Sequence, residues 1–365
     1  WKTFAHELAH NLSANHVEDS GDCARTIMVF SIYGLVEERF CQTSINEITN
    51  FVNNYGSCLQ QIENKTKFDF DGDNKADVSV FRPSNGFWYV MKSSGGYSIT
   101  KWGLEKDKLI PGDYDGDGQT DHAVYREGNA PLGSIADNTW YILRSSDNTV
   151  VIRNWGISAS SVLDIPVPAD YDGDGRTDLA VYRTSDIVPS PGYFRIIQSS
   201  DNTIVEKQWG NNNDKFVPAD YDGDGKADLA VFRNDPFPGT GDREGTWYIL
   251  QSSDNKMRVE YFGLREDKPV PADYDGDGKA DIAVWRPSNG VWYRLNSSDR
   301  SFAAIPFGFS EDKPTPADYD GDGKTDIAVF RPSTGVWYLL RSRDGFTALQ
   351  FGLQEDIPVP NAYIR

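Results

Sequence analysis

Histidine, cysteine and methionine are scarce in this chain: 4 His, 3 Cys and 3 Met among 365 residues. The three cysteines, Cys23, Cys41 and Cys58, all precede residue 60, so no disulfide framework staples the remainder. An odd number leaves a free thiol or a cysteine whose partner lies elsewhere. Positive charge is short as well. With 36 Lys+Arg against 55 Asp+Glu and a formal net charge of −19, a nucleic-acid grip built on a basic surface is excluded. No run approaches the roughly 20 apolar residues of a membrane-spanning helix. The chain opens on Trp1 without a basic and then apolar leader, which leads us to expect a fragment whose start lies upstream. Gly 33, Trp 10, Tyr 18 and Phe 19 are plentiful, a usage that favours strands and turns over helices.

An internal repeat organises most of the chain. The phrase D-x-D-G-D-x-x-x-D begins at Asp69, Asp113, Asp170, Asp220, Asp273 and Asp318. In the sixth copy it is followed by IAVFR (327–331), the turn residues Pro-Ser-Thr-Gly, VWYLL (336–340) and TALQF (347–351). The β-branched and aromatic runs read as three strands, and the IPVPADY-like segment before each acidic phrase supplies a fourth. Six units of four strands predict a mainly β chain folded as a β-propeller over residues 62–365. Longer copies, at 127–138, 184–192 and 234–245, expand the same hairpin, so the inserts are expected on one face. Residues 1–61 lack the repeat and read as a separate, helical part.

Each phrase places carboxylates at positions 1, 3, 5 and 9. These are Asp69, Asp71, Asp73 and Asp77 in the first copy, and Asp113, Asp115, Asp117 and Asp121 in the second. Asp170, Asp172, Asp174 and Asp178 follow, then Asp220, Asp222, Asp224 and Asp228. The last two sets are Asp273, Asp275, Asp277 and Asp281, and Asp318, Asp320, Asp322 and Asp326. Glycine at position 4, and at position 6 in all copies but the first, where Asn74 stands, lets the backbone curl so that these groups converge. Two like charges about 4 Å apart repel by roughly 4 kcal/mol at an effective dielectric near 20, so converging carboxylates imply a bound cation. An all-oxygen donor set suits Ca²⁺, up to six ions in all. The phrase is not an EF-hand: the twelfth position, where a bidentate Glu would stand, is Val329 in the last copy.

The acidic phrase with A-V-F-R and F-G resembles the FG-GAP/VCBS repeats of integrin-type β-propellers over residues 66–365. That resemblance implies structural Ca²⁺ in loops between adjacent strands of a blade. Six copies suggest six blades, completed by the terminal 357–365; integrin-type propellers commonly have seven, and the count stays open at this point. The dipeptides Trp88-Tyr89, Trp140-Tyr141, Trp247-Tyr248, Trp292-Tyr293 and Trp337-Tyr338, with Tyr193-Phe194, have two readings. They either stack on sugars or, as their fixed strand position favours, pack between blades.

The N-terminus reads W-K-T-F-A-H-E-L-A-H-N-L-S-A-N-H. Phe4, Leu8 and Leu12 recur every fourth residue, which predicts a helix with one apolar stripe. His6 and His10 share another face at the spacing that lets two imidazoles reach one Zn²⁺, and His16 is placed to turn back as a third ligand. Glu7 stands beside them as a candidate general base. Three of the 4 His thus fall in one eleven-residue window; His122 reads as an ordinary strand residue.

H-E-x-x-H-x-x-x-x-x-H resembles the metzincin zinc peptidases, and HELAHNLSANH is most similar to the reprolysin group. The resemblance implies His6, His10 and His16 as zinc ligands, Glu7 as catalytic base, and Met28, in Thr26-Ile27-Met28, as the Met-turn residue beneath the metal. It also implies a Cys23–Cys41 disulfide, a last helix running to Val52, and a partner for Cys58 upstream of Trp1. Ser13 departs from the family's glycine at that place. The expectation is a secreted, bacterial zinc metalloendopeptidase: one Zn²⁺, a protein or peptide substrate, and a propeller that engages matrix, glycan or a cell surface. The alternative is a calcium-dependent adhesion or carbohydrate-binding propeller attached to an inactive peptidase remnant.

Overall fold

The computed structural model describes residues 66–131, 133–160, 162–185, 191–236 and 243–364. They form 24 strands and one 3₁₀ turn, Val359–Asn361, and no helix among them is long and apolar enough to cross a membrane. In chain order the strands are β1 (Val78–Arg82), β2 (Phe87–Met91), β3 (Tyr97–Lys101), β4 (Lys108–Leu109), β5 (His122–Arg126), β6 (Ile135–Leu143), β7 (Val150–Ala159) and β8 (Val162–Pro166). They continue as β9 (Leu179–Ser185), β10 (Pro191–Ile197), β11 (Ile204–Asn211), β12 (Lys215–Phe216), β13 (Leu229–Pro236), β14 (Arg243–Leu250), β15 (Met257–Leu264) and β16 (Lys268–Pro269). The last are β17 (Ile282–Arg286), β18 (Val291–Leu295), β19 (Phe302–Pro306), β20 (Lys313–Pro314), β21 (Ile327–Arg331), β22 (Val336–Arg341), β23 (Gly345–Gln350) and β24 (Ile357–Pro358).

Antiparallel pairing groups these into six blades of four strands. Blades II and III, β4–β7 and β8–β11, join into one eight-stranded sheet because Ser158 and Ala159 pair with Leu163 and Val162. Blades IV, V and VI are β12–β15, β16–β19 and β20–β23. Blade I takes its first strand from the end of the chain: β24 pairs with β1, Val80 opposite Pro358 and Phe81 opposite Ile357.

Closure is also written in the loops. The N–H at position 8 of each acidic phrase donates to the carbonyl at position 1 of the preceding phrase. Thr120 bonds Asp69, Thr177 bonds Asp113, Ala227 bonds Asp170, Ala280 bonds Asp220 and Thr325 bonds Asp273. Ala76 then bonds Asp318 at 2.7 Å and returns the circuit to its start, so the ring has six members.

Burial explains the strand compositions. In β1, β17 and β21 four consecutive residues are buried, since neighbouring blades cover both faces of a blade's second strand. Third strands such as β2 and β22 alternate, and outer strands such as β3 expose every second side chain. Trp88, Trp140, Phe194, Trp247, Trp292 and Trp337 are all buried. The five tryptophans donate Nε1–H to a backbone carbonyl in or just after the outer strand, for example Trp140 to Trp155 at 2.8 Å. They are core, as their fixed strand position implied, and are not available to stack on sugars. The terminal segment packs against several blades at the acidic-loop end. Tyr363 bonds the carbonyl of Pro111, and Ile364 packs on the cluster of Val270, Tyr274 and Trp285.

Candidate metal centres

Each acidic phrase leads into the second strand of a blade, five of them directly from the first strand, with its carboxylates tied in four different ways. At position 1, Asp113 accepts from the N–H of Gly116 (2.6 Å) and Gly118 (3.0 Å), and the other five copies repeat the pattern. That curl needs left-handed backbone at position 6. Five copies use glycine there, and Asn74 adopts φ 63° in the first, a conformation asparagine tolerates. At position 9, Asp121 clamps the loop between the N–H of Tyr114 (2.9 Å) and that of Ser145 (2.6 Å), in the turn between third and fourth strands. At position 3, Asp115 accepts from the hydroxyl of Ser146 at 2.6 Å. At position 5, Asp117 accepts from the N–H of Gln119 and the hydroxyl of Ser145.

Three of the four carboxylates in a loop lie closest together, and the fourth is joined to them through the serine hydroxyl, as Ser145 bridges Asp117 and Asp121. In the first five loops it is positions 1, 3 and 9 that bring one oxygen each within 4.8 Å of the others: Asp69, Asp71 and Asp77; Asp113, Asp115 and Asp121; Asp170, Asp172 and Asp178; Asp220, Asp222 and Asp228; Asp273, Asp275 and Asp281. The position-5 aspartates, Asp73, Asp117, Asp174, Asp224 and Asp277, are outside those groups and face the serine hydroxyl. In the sixth loop Asp326 keeps its clamp on Tyr319 and Ser342, and Asp322 keeps its serine. Arg343 replaces the second serine there, and its guanidinium bonds the Asp320 carbonyl.

These clusters fit a cation. Asp71 Oδ1 and Asp320 Oδ1 are buried without any donor, and an orphaned buried carboxylate oxygen costs desolvation energy that a cation would recover. Burial lifts Asp77, Asp121, Asp178 and Asp228 to about 6 and Asp326 to about 7. Backbone N–H groups pull them back down, while the position-3 carboxylate pushes them further up. Repeated clusters of hard oxygen donors suit Ca²⁺ better than a softer metal.

Residues 273–329 match the FG-GAP-like repeat family. That FG-GAP-like stretch contains the fifth acidic loop, the last three strands of blade V (β17–β19), the first strand of blade VI and the sixth loop, so the matched unit runs from one acidic cluster to the next. No curated protein matches the chain. Among solved structures, a Synechocystis ACO mutant is similar at 9% identity and TM-score 0.42, over 77% of this chain and 71% of that one. Porphyromonas gingivalis dipeptidyl peptidase 4 is similar at 10% identity and TM-score 0.36, over 75% and 47%. The fission yeast SREBP–SCAP binding domains are similar at 10% identity and TM-score 0.31, over 76% and 74%.

The zinc-type residues His6, Glu7, His10 and His16, with Met28, Cys23, Cys41 and Cys58, lie outside the described residues. His122 is a packed strand residue, 5.1 Å from the rings of Phe70 and Trp88, and burial pulls it down to about 4.

One feature escaped the sequence reading. At the opposite end of the strands, Arg126 grips Asp107 through two bonds of 2.8 Å. Arg183 grips Asp164, Arg233 Asp214, Arg286 Asp267 and Arg331 Asp312 in the same way. All five pairs are separated by 19 residues, a spacing visible in the sequence. The sixth, Arg82 with Asp356, spans 274 and locks the closing blade. Most of these guanidiniums also cover the tyrosine of the aromatic dipeptide, Arg286 at 4.3 Å from the Tyr293 ring.

Proposed function

We propose that this chain belongs to a secreted, bacterial zinc metalloendopeptidase whose propeller is a calcium-stabilised binding domain for a matrix, glycan or cell-surface ligand. The observation that carries the enzymatic half is the H-E-x-x-H motif with its third histidine, since three imidazoles and an adjacent carboxylate are the donor set of a catalytic zinc site. Bound zinc would supply Lewis acidity toward the peptide carbonyl. His6, His10 and His16 would hold it, and Glu7 would take the proton of the attacking water. The binding half is supported by the closed ring, whose repeated acid clusters rigidify one end and leave the elongated hairpins of blades II–IV at the other. Glu7→Gln in the full-length protein is the test. Peptide hydrolysis should vanish while one equivalent of zinc stays bound in metal analysis. Unchanged proteolysis in that variant overturns the assignment. A wild-type protein that holds calcium alone and cleaves nothing is an adhesion or carbohydrate-binding module instead.

A further inference from the structure

The repeat exposes its own departures, and three of them meet at one place. Between blades II and III, at the acidic-loop end, lies a cavity of about 290 Å³ lined by Arg144, Arg153 and Arg176. Arg144 precedes the serine pair, where the other blades carry Lys92, Gln198, Gln251, Asn296 and Arg341. Arg153 stands two residues before the aromatic–glycine pair, where the others carry Thr100, Lys207, Glu260, Ile305 and Leu349. Arg176 is position 7 of its loop, elsewhere Lys or Gln119. At no other blade junction do these three positions all carry a cation.

Arg144 is held by Asp115 (3.1 Å) and Asp147 (3.4 Å). The guanidiniums of Arg153 and Arg176 make no hydrogen bond or ion pair among the described residues. Three guanidiniums therefore face a single lining carboxylate, Asp115, in a chain of net charge −19. Planar guanidinium forks match the oxygen geometry of a sulfate or phosphate group, and Val151 and Leu179 add an apolar wall for the body carrying it. We propose that this cavity binds a sugar unit bearing a sulfate or phosphate ester. The proposal deepens the reading of the propeller as a binding domain and rests on that reading alone, not on the zinc motif.

Calorimetry in saturating Ca²⁺ at low ionic strength tests it. The probes are a heparin-derived tetrasaccharide, its desulfated counterpart, glucose 6-phosphate and sodium sulfate. At least one ester should bind and the desulfated sugar should not. The double variant R153Q/R176Q should weaken binding at least about tenfold, the loss of two charge-assisted contacts, with its melting temperature unchanged. K279Q, the position-7 change between blades IV and V, should bind as wild type does. Failure of both esters to bind overturns the proposal, as does equal binding of the desulfated sugar or full affinity in R153Q/R176Q. Sodium sulfate binding as tightly as the esters would mean an adventitious ion only and also overturns it. Any of these results with calcium-dependent melting intact leaves the calcium-stabilised propeller standing, whereas melting that ignores calcium undoes that reading instead.

Discussion

The two ends of the strands carry the same residue, buried aspartate, in opposite electrostatic settings. At one end Asp107, Asp164, Asp214, Asp267, Asp312 and Asp356 each face a guanidinium in a two-bond fork. At the other, Asp77, Asp121, Asp178, Asp228 and Asp281 face two more carboxylates. The first end is neutralised within the chain. At the second, backbone N–H groups and, at Asp115, Arg144 offset only part of the repulsion, and burial has pushed most of the position-9 groups toward protonation, so a cation from outside would relieve them. One end of the ring is thus neutralised by its own arginines, and the other offers clusters that a cation could neutralise.

The largest test of this contrast is chelation. A ligand held at 100 times its Kd contributes about 2.7 kcal/mol per site, so stripping several sites at pH 8 should lower the melting temperature by about 15 °C or more. Insensitivity to chelator would remove the distinction between the ends. Next in size, Arg286→Ala leaves Asp267 buried and unpaired, at a cost of about 3–5 kcal/mol. Denaturant melts should show that loss equally with and without calcium; a loss confined to the calcium-free protein would mean the ends are not independent.

The third prediction is a pH dependence. Without metal, carboxylates raised from 3.8 to about 6 or 7 contribute stability that is complete below pH 3.8 and fades as pH rises through 6 to 7. Calcium removes that loss by favouring the ionised form. The chelator-induced fall in melting temperature should therefore be several degrees larger at pH 8 than at pH 5, and the reverse order would contradict the burial of these groups. Smallest is Ser146→Ala, which deletes the 2.6 Å hydroxyl bond to Asp115 at an expense of about 1 kcal/mol. Its effect should shrink once calcium neutralises that carboxylate, as paired melts with and without calcium would reveal.

Much of the architecture was legible residue by residue. IAVFR is β21 from Ile327 to Arg331, and VWYLL lies within β22. The terminal Ile357-Pro358 completes the first blade, as the repeat arithmetic required. The third strand of that grammar, read as TALQF, begins two residues earlier at Gly345, because Arg341 pairs with Gly345 across the turn and extends the hairpin. The acidic phrases were legible as cation sites, but not their division of labour. Position 5 is met instead by the hydroxyl of Ser145 and its counterparts, in a turn 20 to 28 residues downstream.

The six acidic phrases also account for the charge: their four aspartates each make 24 of the 55 acidic residues, and six divalent ions would bring −19 to −7. What the sequence determined by itself is everything that repeats within one unit: strand periods, turn residues, the four aspartates, and the 19-residue interval from Asp to Arg. Only the tertiary structure decided what happens between units. It closed the ring at six through Ala76 and Asp318, joined Arg82 to Asp356, and gathered Arg144, Arg153 and Arg176 from two blades around one cavity. The reason is geometric. Local spacing sets which face a side chain takes, whereas the small rotation from blade to blade, summed around the ring, sets which blade becomes its neighbour.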